Sequence, residues 1–338
     1  MMKKISLILT SILLMSALAA CTSNSSTTEQ PATTSTTENT GTGNPAATNP
    51  EATTPTEGAN STDPASTESA SAQNAKIVAN KKVVASMYQD VLNGHQADKI
   101  DMYLADDYKE HDPMIATGKE AFKTYIASFI KANPDYKVNV KGMIGQNDLV
   151  AVMNYPMANP DDPGQAAVDI FRVTDGKIVE HWKTVQSVTG ASSMIQNLLP
   201  SASTTADVAA TDKAIVASNA QFVSNFFNSF FVEHNTDAAS GVVSESLVQH
   251  NVKMKDGIEP LVNNYLAQFR ANPDSTATVV NMVAEGDMVL IQSQMKKNAD
   301  DAGQSVVQIF RVENNEIAEM WMLSQDVPAK TVNENGMF

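Results

Sequence analysis

Asp161-Asp162-Pro163-Gly164-Gln165-Ala166-Ala167-Val168-Asp169-Ile170-Phe171-Arg172-Val173, followed by Ile178, Glu180, Trp182 and Gln186, decides the architecture, because the chain repeats it. At 139 residues further on, Asp300-Asp301, Gly303-Gln304, Val307 and Ile309-Phe310-Arg311-Val312 match the first part. Ile317, Glu319, Trp321 and Gln325 match the second. Working outward at the same offset, Asp148 and Val150 meet Asp287 and Val289, and Ala132-Asn133-Pro134-Asp135 meets Ala271-Asn272-Pro273-Asp274. His95 and His111 meet His234 and His250. Agreement sustained over that length marks a duplicated domain. The copies run over 76–190 and 212–330, joined by a Ser/Thr/Ala-rich linker at 191–211 and followed by a short tail at 331–338.

Each copy opens with helical periodicity: Val83, Val84, Met87, Val91 and Leu92 in the first, Phe222, Val223, Phe226, Phe227, Phe230 and Phe231 in the second. A second helix fits 118–131, where Ala121, Phe122, Tyr125, Ile126 and Phe129 share a face and Asn133-Pro134 stops the run. Four β-rich segments follow at 136–144, 149–157, 166–173 and 177–188, the last two joined by the tight turn Asp175-Gly176. The expected fold class is α+β: helices first, then a bent antiparallel sheet, twice.

In a chain of 338 residues, 23 Lys+Arg against 38 Asp+Glu give a net charge of −15, which excludes a nucleic-acid partner. A single cysteine, Cys21, excludes a disulfide framework and any multi-cysteine metal site. Lys3-Lys4 and the apolar run from Ile5 to Ala20 form a signal peptide over 1–20, too short for the roughly 20 apolar residues of a spanning helix. Leu18-Ala19-Ala20-Cys21 resembles the bacterial lipobox, which implies a diacylglyceryl thioether on Cys21, membrane anchoring and a place in the cell envelope. With acyl chains contributing about 0.8 kcal/mol per buried methylene, such an anchor is permanent. Thr22 after the cysteine fits outer-membrane sorting where such a membrane exists. Residues 21–75 are Ser, Thr, Asn, Ala, Pro and Gly with scattered acids, too poor in aliphatic residues to offset ordering entropy. They read as a disordered tether with a reach on the order of 40 Å.

Tyr108-Lys109-Glu110-His111-Asp112-Pro113, Gly118-Lys119-Glu120, Asp148-Leu149-Val150, Val168-Asp169-Ile170-Phe171-Arg172 and Asp175-Gly176-Lys177-Ile178-Val179-Glu180-His181-Trp182 with Gln186 resemble, in order and spacing, the SnoaL-like branch of the nuclear transport factor 2-like (NTF2-like) superfamily. The resemblance covers the first copy, and the second carries the same pattern degenerated. It implies two cone domains, helices closing over a curved sheet around a deep apolar pocket, packed as an intramolecular pseudo-dimer. Members include polyketide cyclases, relatives of ketosteroid isomerase and proteins that only bind, so fold alone leaves function open.

In the first copy, Asp169 stands in an otherwise apolar strand. Facing the pocket, it would have a pKa raised by desolvation and would suit proton transfer beside a carbonyl; strand alternation also allows it to be solvated or paired with Lys or Arg. His111 and His181 complete the candidate catalytic set, as base, donor to an enolate, binding group or plain core histidine. Tyr155 is a candidate oxyanion donor, and Trp182, Asp112, His250, Gln308 and Trp321 are further candidate ligand-binding positions. Trp182/Trp321, Arg172/Arg311 and Phe171/Phe310, shared by both copies, also suit structural roles. At Asp169, His181 and Tyr155 the second copy has Gln308, Met320 and Gln294, so any catalysis belongs to the first. Lys183 stands where SnoaL-like relatives with the His-Trp ending often carry Asp. His111, Asp169 and His181 lack local metal-ligand spacing, no Gly-rich phosphate loop or nucleophile elbow occurs, and no cofactor or metal is expected. Three functions fit: binding of a small, largely apolar molecule, placed first; aldol- or isomerase-type acid–base catalysis in the first copy; and an envelope scaffold holding another protein.

Overall fold

A computed structural model describes residues 70–162, 164–187, 197–202, 212–251 and 253–338. The signal peptide, Cys21, the tether up to residue 69 and most of the linker lie outside the described residues. In the first copy, α1 (Ala70–Met87) runs into a wider π-type turn (Tyr88–Asn93), a short 3-10 turn (Ala97–Met102), β1 (Leu104–Glu110) and α2 (Lys119–Ala132). The helix therefore starts inside the stretch that composition assigns to the tether. A meander of β2 (Lys137–Gln146), β3 (Leu149–Met157), β4 (Gln165–Thr174) and β5 (Lys177–Ser187) follows. The second copy repeats this as α3 (Lys213–Phe227), a π-type turn (Asn228–Val232), a 3-10 turn (Thr236–Ala239), β6 (Val243–Gln249), α4 (Ile258–Ala271), β7 (Thr276–Glu285), β8 (Met288–Lys296), β9 (Gln304–Glu313) and β10 (Glu316–Asp326). Among the described residues no helix is long and apolar enough to cross a membrane.

The two sheets have the orders β1-β5-β4-β3-β2 and β6-β10-β9-β8-β7. They are not wholly antiparallel, as the sequence suggested: β1 pairs with β5, and β6 with β10, in parallel. Leu104-Ala-Asp-Asp-Tyr-Lys-Glu110 hides this edge strand, because its exposed side is charged and its alternation breaks at adjacent acids. Local chemistry explains the other connections. Asp175 (φ 50°) and Gly176 (φ 74°) are both left-handed, as a two-residue hairpin matched to strand twist requires, and Asn314-Asn315 (φ 53° and 62°) do the same in the second copy. Asn133 closes α2 by donating from its side chain to the Phe129 carbonyl at 2.9 Å. An extra residue between Val140 and Gly142, matched between Val279 and Asn281, bulges the outer strand and bends each sheet.

Strand alternation gives each sheet two apolar faces. One lies under its own helices, where Val91, Phe122, Ile126 and Phe171 are buried in the first copy and Phe227, Phe230, Leu261 and Phe310 in the second. The opposite faces bury one another: Ile144, Met153, Tyr155, Ile170 and Trp182 share one cluster with Val283, Leu290, Ile309, Trp321 and Leu323. Hydrogen bonds across this seam are reciprocal. Gln186 Oε1 accepts from Ser324 N at 3.0 Å and Gln325 Oε1 from Val185 N at 2.8 Å. Gln146 Oε1 accepts from Ala284 N at 2.9 Å and Glu285 Oε2 from Gly145 N at 2.6 Å. Glu285 also pairs with the Lys81 ammonium at 2.6 Å, which is 1% exposed. Gly142 is needed where the linker passes: a Cβ there would stand 2.5 Å from Ala202 N.

The chain end crosses to the first copy. Val332 N donates to Pro113 O at 2.7 Å, Asn333 Nδ2 to the carbonyls of Asp112 and Ile115 at 2.7 Å each, and Asn335 Nδ2 to Glu110 O at 2.9 Å. Met337 is buried.

Replacing Gln186 or Gln325 by Ala leaves a strand N–H unpaired at the seam, at a cost of about 1–3 kcal/mol. Urea denaturation of the two-copy fragment should show a lowered midpoint for each variant, similar in size because the contacts are symmetric; unchanged midpoints would contradict the reciprocal seam.

Candidate functional site

The β4–β5 ladder sets the site. Its register places Asp169 opposite Lys183 and Phe171 opposite His181, and alternation turns all four toward the helices. The parallel pairing of β1 brings Glu110 beside His181. Tyr88 enters from the π-type turn after α1, and Asn154 from β3.

The result is a buried chain of charge-assisted hydrogen bonds. His181 Nε2 donates to Asp169 Oδ1 at 2.9 Å and Nδ1 to Glu110 Oε1 at 2.9 Å. Asp169 Oδ2 accepts from Tyr88 Oη and Asn154 Nδ2, both at 2.6 Å. Glu110 accepts from Tyr108 Oη at 2.6 Å and from Asp112 N at 2.8 Å. The His181 ring stacks on Phe171, centroids 4.6 Å apart. Glu110, Asp169 and His181 are 0%, 5% and 5% exposed, so each charge depends on the others.

Their ionisation follows from that packing. Burial alone would lower the pKa of His181, but Glu110 first and then Asp169 push it up to about 10. Burial would raise Asp169; the nearby Lys183 charge, then His181 and the Tyr88 hydroxyl, hold its carboxyl well below the usual range. This reverses the sequence expectation of a raised pKa, because that expectation counted desolvation without the counter-charges. Burial, then Asp169 in one case and Glu110 in the other, pushes Tyr88 and Tyr108 well above the ordinary tyrosine value. At neutral pH an imidazolium bridges two carboxylates, with both ring nitrogens donating.

A cavity of about 550 Å³ opens above this floor. Met87, Leu92, Phe122, Ile126, Phe129 and Val138 form its apolar wall; Asp169, His181, Lys183, Tyr125 and Tyr136 are polar groups on it.

The structure thus joins Asp169 and His181 and sends the other sequence candidates elsewhere. His111 hydrogen-bonds Glu180 Oε1 at 3.0 Å and the Gly336 carbonyl at 3.1 Å and stacks on Trp182, away from the cavity lining. His250 repeats this with Glu319 at 2.9 Å and Trp321. Trp182, Trp321 and Tyr155 belong to the seam between the sheets. Asp112 accepts from Met114 N at 2.9 Å, an Asx turn in the loop after β1, and burial raises its pKa. Gln308 lies buried in the second copy, with no partner for its amide among the described residues. Among those residues no cluster of three His, Cys, Asp or Glu is set to hold a metal.

Glu110, Tyr88 and Asn154 escaped the sequence reading, and Lys183 was noted only as a departure. The signal was in the repeat. Glu110 and Asp112 become their amides Gln249 and Asn251, Asp169 becomes the longer, neutral Gln308, Tyr88 becomes Phe227, and His181 and Lys183 become Met320 and Met322. The network loses its charges as a unit.

Residues 82–192 match the family model of the SnoaL-like polyketide cyclases, and residues 223–320 match a second model, the SnoaL-like domain. The chain carries two tandem SnoaL-like domains. Among solved structures, a nuclear-transport-factor-2-like protein of unknown function from Mesorhizobium loti is 22% identical, covering 32% of this chain and 93% of that one (TM-score 0.29). A SnoaL-like protein of unknown function from Burkholderia thailandensis is 16% identical, over 33% and 98% (TM-score 0.29). A candidate SnoaL-like polyketide cyclase from Jannaschia sp. CCS1 is 20% identical, over 33% and 88% (TM-score 0.29). No curated protein matches.

The His181 shift makes the first SnoaL-like domain pH-sensitive on the alkaline side. A group whose pKa rises from 6.5 unfolded to about 10 folded stabilises fully below pH 6.5 and loses that contribution as pH climbs toward 10. The depressed Asp169 contributes above its unfolded value and is lost only in acid. The melting temperature should fall steadily from pH 6.5 to 10. The quadruple variant Glu110→Gln, Asp169→Gln, His181→Met, Lys183→Met, which carries the second domain's residues, should lack that slope; the same slope in both proteins would refute the imidazolium bridge.

Proposed function

We propose that the first SnoaL-like domain binds a small, largely apolar molecule in its cavity, and that the protein does so in the cell envelope, held by a lipid on Cys21. The observation that carries the binding reading is the state of Asp169. Both its oxygens are taken by protein donors, and Lys183 and His181 hold it ionised. Cyclase-like acid–base chemistry needs a group that exchanges a proton near the working pH. Asp169 lies far below that range and His181 far above it, so the pair serves as a fixed polar floor.

The cavity size and its apolar wall fit a molecule of drug-like dimensions. The scaffold reading has less support, since the sheet faces that could receive another protein cover each other. The reciprocal seam supports reading the two domains as an intramolecular counterpart of a homodimer. The Lys3-Lys4 head, the apolar run and Leu18-Ala19-Ala20-Cys21 support the anchor.

The second domain shows how such a cavity can be narrowed: with Phe231 at the position of Leu92 and Tyr265 at that of Ile126, both buried, the equivalent space shrinks to about 170 Å³. The double variant Leu92→Phe, Ile126→Tyr should fold and abolish the fluorescence gained when the apolar dye N-phenyl-1-naphthylamine binds the wild-type protein. Undiminished binding by a folded variant would exclude the cavity as the site.

Detergent phase partitioning of the full chain expressed in a bacterium tests the anchor. The wild type should enter the detergent phase and Cys21→Ala the aqueous phase; equal partitioning would remove the lipid.

A further inference from the structure

One polar cluster on the cavity wall shares no hydrogen bond with the buried network, although the Lys183 charge helps to keep Asp169 ionised. Lys183 stands beside Asp169 on the β4–β5 ladder and faces the cavity. Tyr125 of α2 and Tyr136, just before β2, line the same cavity and lie close enough to Lys183 to feel its charge. Phe129 fixes both rings, stacked with Tyr125 at 5.9 Å between centroids and edge-on to Tyr136 at 4.8 Å. Among the described residues the Lys183 ammonium and the two hydroxyls make no hydrogen bond or ion pair.

An ammonium and two phenols facing an apolar cavity incur a desolvation cost that an acceptor would offset. Asp169 is the nearest charge across the ladder, yet its oxygens are already occupied by His181, Tyr88 and Asn154. Glu110 is turned to His181, and Asp112 is held in its own turn. The charges close by, Glu110 and Asp169 against His181 and Lys183, nearly cancel, so the ammonium offers directed donors rather than a strong net field. The second domain has Asn264, Ser275 and Met322 at these three positions, and it lacks the cluster where its cavity also shrinks to about 170 Å³.

We propose that Lys183, Tyr125 and Tyr136 form the polar end of the binding site and select apolar ligands that terminate in an oxygen acceptor, a carboxylate or a carbonyl. The assignment rests on the cavity of the first domain being the binding site. The apolar body lies against Leu92, Phe122 and Ile126, and the oxygen takes hydrogen bonds from the three donors. Lys183 is a specificity-determining residue here.

Three naphthalene fluorophores separate the possibilities in direct titrations: 1-anilinonaphthalene-8-sulfonate with an anionic oxygen head, 6-propionyl-2-dimethylaminonaphthalene with a neutral carbonyl, and N-phenyl-1-naphthylamine with neither. Lys183→Met, the second domain's residue, should weaken the oxygen-bearing dyes at least tenfold and leave N-phenyl-1-naphthylamine within about twofold. Loss for the sulfonate alone identifies an anionic head, and loss for the ketone as well a carbonyl. Tyr125→Phe, Tyr136→Phe removes two donors without touching a charge and should weaken the same dyes severalfold, which keeps the test decisive if Lys183→Met fails to fold. Equal losses for all three dyes, or none for any, overturn the assignment while leaving the cavity reading intact. If N-phenyl-1-naphthylamine fails to bind the wild type, or still binds the filled-cavity variant, the cavity reading itself fails.

Discussion

Each sheet must bury two apolar faces and has helices for only one. Ile170 and Phe171 are neighbours in sequence and point to opposite sides of β4, one into the seam and the other under the helices. Sheet-to-sheet packing resolves this at the usual spacing of interdigitating side chains, and the second copy supplies the surface. Several residues identical between the copies are ones this constraint fixes. Ile170 and Ile309, Trp182 and Trp321, and Gln186 and Gln325 face each other's domain across the seam. On the helix-facing sides Phe171 and Phe310 are kept as well, while the residues around the cavity diverge.

Their divergence follows the energetics of buried charge. Removing one member of an interlocked ion pair strands its partner at a cost of about 3–5 kcal/mol, whereas exchanging the whole set for neutral groups of similar shape is near neutral. A network of this kind is therefore either complete or absent. The first domain keeps Glu110, His181, Asp169 and Lys183; the second has neutral residues at all four positions and narrows the space with Phe226, Phe227, Phe230 and Phe231. Gln308 remains as a polar group without a partner among the described residues. One domain is a vessel and the other its counterweight.

Much of the fold was legible in the sequence, because periodicity, the Asn-Pro stops and the Asp175-Gly176 turn are local signals. The parallel edge strand was not, since Leu104–Glu110 draws its partner from 70 residues away and its own pattern is masked by charge. In the site, Asp169 could be read because a carboxylate in an apolar strand is conspicuous. His111 looked equivalent to His181 in sequence. They lie one register step apart, His111 N bonding the His181 carbonyl at 2.8 Å, yet the two rings face opposite sides. Glu110 was missed because its meaning depends on a pairing only tertiary structure provides.

The crossing of residues 332–337 onto the β1–α2 loop carries a consequence for the order of folding. Asn335 binds residues 225 and 218 positions earlier, so the loop beneath Glu110 gains those contacts only after a chain closure of that length. Contacts of such sequence separation are closed late and slowly. The first domain is thus completed by residues that follow the second in sequence, and without Asn333 and Asn335 the loop after β1 loses the bonds that hold it beside the cavity.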